Sequence, residues 1–108
     1  MTFLLGGALL DGCVLAVLAQ EDTYGYQLTQ RLQKTADVSE STLYPVLRRL
    51  QKDAFLETYD SPHAGRNRRY YKITVSGREK LSQIQAEWAV YREKLNRLLL
   101  SEGGGQDE

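Results

Sequence analysis

The sequence predicts a mainly α-helical fold with one small β-hairpin and a long C-terminal helix. Two observations predict it. Apolar residues recur with a helical period of 3.6 up to about residue 52, then alternate with a period of 2, then return to a helical period until Leu98. The second is size. At 108 residues the chain holds one domain and one modest core, which excludes a large catalytic α/β domain.

The first helix is expected to begin between Leu5 and Leu9 and to end near Gln20, with Leu10, Val14, Val17 and Leu18 on one face. Ala16 and Ala19 allow a partner to come close. Phe3 to Ala19 is apolar, but it is shorter than the roughly 20 residues of a spanning helix and carries Asp11 and three glycines. It is expected to be buried in protein rather than in membrane. Thr23 is expected to cap a second helix from Tyr24 to about Thr35, with Tyr24, Leu28 and Leu32 buried and Tyr26 beside them. After Asp37-Val38-Ser39, Ser39 is expected to cap a third helix ending at Lys52, with Glu40 in its first turn. Leu43, Leu47 and Leu50 form its stripe, flanked by Val46. Pro45 removes a donor and disfavours helix at Tyr44, so the second turn is expected to be irregular.

Phe55 to Tyr59 and Arg69 to Ile73 read as paired strands, and Asp60 to Arg68 as a long basic turn. Thr74 is expected to cap the last helix. Its stripe of Leu81, Ile84, Trp88, Tyr91, Leu95 and Leu98 steps by 3, 4, 3, 4 and 3, a heptad seam. From residue 75 to 100 it spans roughly 39 Å at 1.5 Å per residue. Part of that seam is expected to fold back on the first helix and the rest to meet a second subunit. The expected organisation is residues 5–74 as a DNA-binding unit, 75–100 as a dimerisation helix and 101–108 as a disordered tail.

Charge is uneven although it sums to zero. Residues 1–30 are net −3, residues 31–80 net +5 with 11 bases, and residues 81–108 net −2. A uniformly basic nucleic-acid coat protein is excluded; a local polyanion-binding surface is not. Cys13 is the single cysteine, which excludes an internal disulfide and fits a reducing, cytoplasmic compartment. It lies in an apolar run and is read as core. His63 is the lone histidine, so no metal site and no cofactor are expected. No nucleophile, base and acid fall in a recognisable motif. The chain is not expected to be an enzyme.

Three helices followed by a two-stranded wing is the order of a winged helix-turn-helix. The third helix would enter the major groove of double-stranded DNA. Ser41, Thr42 and Tyr44 stand near its N-terminus as candidate base or phosphate contacts. Arg48, Arg49 and Lys52 suit phosphate, or base edges if the helix tilts, though each also fits a solvated helix face. Arg66, Arg68 and Arg69 crowd three like charges beside the turn, which a minor groove or backbone would offset. Lys72, in the second strand, is a candidate for the flanking backbone. Asn67 and Gly65 read as turn residues. Trp88, Tyr91 and Ile84 are candidates for lining a small pocket that takes a planar aromatic ligand, a role compatible with plain packing.

Four blocks carry a resemblance: Gly7-Ala8-Leu9-Leu10-Asp11, Tyr24-Gly25-Tyr26-Gln27-Leu28, Ser41 to Leu50, and Arg68 to Thr74 with Gly77. Together they resemble the PadR-like transcriptional regulators in their short form, with a single C-terminal dimerisation helix. The resemblance implies a homodimeric winged-helix regulator, usually a repressor, on an inverted-repeat operator. It implies that proline is tolerated at Pro45, and that in some relatives a tryptophan matching Trp88 stacks on a flat aromatic effector. Two positions depart from the family. Gly6 stands where many relatives have arginine, and Ala54 where glycine is common. If residue 54 needs a positive φ, alanine there costs about 1 kcal/mol. A chain that kept this fold but exchanged DNA for a protein partner is the alternative.

Overall fold

In the computed structural model, residues 6–101 are described. Leu5 and residues 102–108, and with them most of the expected tail, lie outside the described residues. Four helices and three short strands follow in the order α1 (Gly7–Gln20), β1 (Thr23–Tyr24), α2 (Gly25–Gln33), α3 (Glu40–Lys52), β2 (Leu56–His63), β3 (Arg66–Ile73) and α4 (Val75–Leu99). The sheet is antiparallel in the order β1-β3-β2.

α1 is apolar nearly all round, which marks a helix packed on several sides rather than one. It lies against α2, α3, α4 and β3. Its Val14, Leu15 and Leu18 meet Leu28, Leu43 and Leu50, all at most 1% exposed. Leu15 lies outside the stripe read from spacing, and Val17 of that stripe is only half-buried. Cys13 is half-buried against this core, and burial pushes its thiol pKa up, so it stays protonated and inert.

Thr23 does not cap α2. It is fully buried in β1, paired with Tyr71, and its Oγ1 donates to the Glu21 carbonyl at 3.0 Å. Two residues of strand carry too little pattern to be legible in sequence; the pairing to β3 creates them. α2 is correspondingly shorter than expected, and Tyr26 is 59% exposed rather than beside the buried stripe. Behind α2, Gln33 Nε2 donates to the Val38 carbonyl at 2.9 Å, while Ala36 and Val38 plug the core. The connector to α3 is thereby held.

Ser39 caps α3 as expected, accepting from Thr42 N at 3.2 Å. α3 runs unbroken through Pro45. Pro45 cannot donate to the Ser41 carbonyl, but both residues are exposed and water can take that acceptor. The helix ends in a Schellman motif. Phe55 N donates to Leu50 O at 2.9 Å, and Ala54 N to Gln51 O at 3.0 Å. This ending places Ala54 at φ 66, the left-handed region that favours glycine.

The hairpin is longer and its turn tighter than the sequence suggested. Pairing continues from Leu56↔Ile73 to His63↔Arg66, leaving only Ala64 and Gly65 to turn. Their φ values of 55 and 78 are those of a two-residue turn with both centres left-handed. Thr74 then caps α4 by accepting from Gly77 N at 3.0 Å. Thr74 and Ser76 also donate to the Ala54 carbonyl at 2.7 and 2.8 Å, joining the end of α3 to the start of α4.

The first half of the α4 seam folds back as expected: Leu81 and Ile84 are buried, largely against α1. Beyond them, Trp88 is 36% exposed, Tyr91 54% and Leu98 79%, and only Leu95 is partly covered. The helix projects from the body and gives the chain extents of 62 × 30 × 21 Å. Among the described residues no helix is long and apolar enough to cross a membrane.

Candidate nucleic-acid interface

The stripe Leu43, Leu47 and Leu50 turns one face of α3 inward, so Ser41, Thr42, Tyr44, Arg48 and Lys52 lie outward, all exposed. The Ser39 hydroxyl links to Ser41 Oγ at 2.9 Å and Thr42 Oγ1 at 3.1 Å. The Arg48 guanidinium lies 5.7 Å from the centre of the Tyr44 ring. The first turns of α3 therefore present hydroxyls, a phenol and a cation side by side.

β3 alternates its side chains between two faces, and this divides the wing arginines. Arg69 shares the face of Tyr71 and Ile73, directly opposite Asp60, with Nε 3.7 Å from Asp60 Oδ1. That face borders α3. An open groove of about 530 Å³ is lined by Tyr26, Tyr44, Asp60, Asn67, Arg69 and Tyr71, and at the β1 edge of the sheet it also reaches Tyr24 and Arg68. A second opening of about 480 Å³ includes Ser41, Tyr26 and Tyr44. α3 and the hairpin thus share one groove.

Arg66, Arg68 and Lys72 take the opposite face, with Tyr59 and Tyr70. Arg68 lies flat on Tyr24, its guanidinium carbon 4.8 Å from the ring centre. Its Nε is buried with no hydrogen-bond partner among the described residues, so its role there is packing as much as charge. Tyr59 stacks on Tyr70 at 5.5 Å, Tyr70 meets Tyr24 edge-on at 5.5 Å, and His63 lies 5.3 Å from Tyr24. The Tyr59 hydroxyl donates to Asp22 Oδ2 at 2.6 Å, which pushes its pKa up to about 12. Lys72 is exposed and opposite Glu57.

Arg49 also has a partner within the chain. Its guanidinium forks onto Asp11 of α1, Nη1 to Oδ2 at 3.0 Å and Nη2 to Oδ1 at 2.6 Å. Asp11 hydrogen bonding pushes the arginine pKa still higher. Asp11 was legible as a lone carboxylate in an apolar helix, which needs a partner. Its partner lies 38 residues away, beyond any local spacing rule. Tyr26, which lines both openings, was also missed as a candidate. Two positions from Leu28 on a helix is about 200° round, so the wheel places it off the buried stripe.

Trp88, Tyr91 and Ile84 lie side by side on α4. With Glu87 and residues 6–9 of the chain they line an open cleft of about 430 Å³ between α1 and α4. The Trp88 and Tyr91 rings lie 6.2 Å apart, tilted by 58°. Among the described residues no three His, Cys, Asp or Glu side chains cluster as metal ligands.

A three-helix body, a capped recognition helix and a β-wing define a winged helix-turn-helix protein with an added C-terminal helix. The profile of the transcriptional regulator PadR-like family matches residues 14–83, and the chain belongs to that family. It is a family of regulators, not enzymes. An uncharacterised Lysinibacillus sphaericus protein is 36% identical over 89 residues, covering 78% of this chain and 82% of its own. A crystal structure from Streptococcus mutans UA159 superposes with a TM-score of 0.88 at 35% identity, covering both chains completely. A PadR-like transcriptional regulator from Bacillus cereus matches at a TM-score of 0.81 and 37% identity, over 87% of this chain and 94% of that one.

Proposed function

We propose that the chain is a homodimeric, sequence-specific repressor binding an inverted repeat in double-stranded DNA. The observation that carries this reading is the shared groove. Ser41 and Tyr44 on α3 and Arg68 and Arg69 on β3 line two adjoining openings that share Tyr26, and Thr42 and Arg48 are exposed on the same helix. Hydroxyls, phenols and arginines are the groups that bond phosphate oxygens and base edges. Lys52, Arg66 and Lys72 are exposed and extend the positive surface toward flanking backbone. Residues 5–74 form the DNA-binding unit on this reading. The helix from 75 to 100 is its dimerisation arm: Leu81 and Ile84 pack on α1, and Trp88, Tyr91, Leu95 and Leu98 meet a second copy.

The cleft beside Trp88 is the effector site of this reading. Its rings and apolar walls suit a flat aromatic molecule, and a second copy would close its open side. Occupancy there would alter the spacing of two recognition helices and release the operator.

Selection of genomic fragments by the purified protein at low salt, read by sequencing, tests the reading. Enrichment of one inverted repeat is the expected result. Uniform retention, or none, overturns it and favours a winged-helix module that binds a protein partner.

A further inference from the structure

Asp11 is the only charged residue in α1 and is 8% exposed. Both of its oxygens are taken by Arg49, so the contact defines the direction of the guanidinium plane as well as its distance. Arg49 sits on α3 immediately before Leu50, which is fully buried. Arg49 itself is about half-exposed, so the contact lies at the edge of the core, with the Asp11 carboxylate on its buried side. The next residue of α1, Gly12, lies directly under Ile84 of α4. Consecutive residues of α1 thus grip the recognition helix and the long seam helix.

We propose that Asp11 and Arg49 are a positioning pair, which ties the pose of α3 to α1 and through it to α4, and that Arg49 is not a phosphate contact. The inference rests on the DNA-binding reading above. A phosphate contact and a positioning pair respond oppositely to loss of Asp11. Removing the acid would free a phosphate-binding arginine, tightening binding and steepening its salt dependence. Removing it from a positioning pair loosens α3 and weakens operator recognition.

The test compares Asp11→Asn, Arg49→Lys and the double variant with the wild-type protein. Arg49→Lys keeps the charge but loses the fork, and it stands in if Asp11→Asn fails to fold. Both single variants are expected to lose about tenfold or more in affinity for the selected operator, the double no more than either. Binding to random DNA and the slope of affinity against salt should stay unchanged. Asp11→Asn binding as tightly as wild type, or Arg49→Lys retaining full affinity, overturns the proposal. Amide hydrogen exchange of the DNA-free protein supplies a second readout. In Asp11→Asn, α3 amides should exchange faster relative to those of α2 and β3. Unchanged α3 protection overturns the pair's role. If the wild-type chain selects no operator, the functional reading falls and the exchange result alone decides the pair.

Discussion

Gly12 of α1 and Ile84 of α4 meet so closely that a Cβ at residue 12 would lie 2.7 Å from Ile84 Cγ2. Glycine in mid-helix costs about 1 kcal/mol relative to alanine, so close approach of the two helices is what it provides here. Gly12→Ala is expected to gain that helix propensity and lose more through overpacking, which costs about 1–3 kcal/mol. A lower urea midpoint at unchanged slope would show it. Gly12→Ala should cost less in an Ile84→Ala background than in the wild-type chain, because the crowded methyl is gone. Gly77→Ala should be worse than Gly12→Ala. There the new Cβ would overlap the Phe55 carbonyl oxygen, a backbone atom with no rotamer to yield.

Ala54→Gly should act in the other direction. Left-handed alanine costs about 1 kcal/mol, and glycine returns part of that gain through its freer unfolded chain. A net stabilisation of about 0.5 kcal/mol in urea unfolding is expected. A destabilised variant would contradict the strain assigned to the end of α3.

Tyr59 links stability to alkaline pH. Its pKa is 10 in the unfolded chain and about 12 in the fold, because the hydroxyl donates to the Asp22 carboxylate. The folded state holds the proton more tightly. The contribution to stability is therefore complete below pH 10 and disappears as pH rises to 12. Tyr59→Phe should be less stable than wild type at pH 8 and lose less stability between pH 10 and 12. Parallel pH–stability curves for the two proteins would refute the assignment.

The two faces of β3 predict separable losses for neighbouring arginines. Arg69→Ala should leave stability within about 1 kcal/mol, since its pair with Asp60 is exposed. It should lower the salt slope of DNA binding by about 1. Arg68→Ala should cost about 1 kcal/mol of stability through lost contact with Tyr24. If the salt slope is insensitive to Arg69→Ala, the groove-facing side of the wing is not the DNA side. The triple replacement of Arg66, Arg68 and Arg69 should weaken binding to all DNA.

Trp88 is the sole tryptophan, so its emission reports the α1–α4 cleft alone. Planar aromatic molecules are expected to quench it saturably, and Trp88→Ala to abolish their effect on DNA binding. No quenching across a chemically broad set would make Trp88 a packing residue of the seam.

Much of this molecule is written locally. The caps at Ser39 and Thr74, the Leu43-Leu47-Leu50 stripe and the heptad steps of α4 depend on residues three or four apart. Near-neighbour chemistry determines such features, and the sequence by itself determined them. It also placed the family blocks that carry the regulatory reading. Other features required the folded chain. β1 exists only because Thr23 and Tyr24 find Tyr71 and Tyr70, and the turn shrinks to Ala64-Gly65 because pairing continues through Asp60 to His63. Strand register then decided that Arg69 faces α3 while Arg68 lies on Tyr24. The Asp11–Arg49 fork joins residues that only the packing of α1 against α3 brings within 3 Å. Tertiary structure decided these because a partner distant in sequence is chosen by the collective burial of the core, which no local spacing encodes.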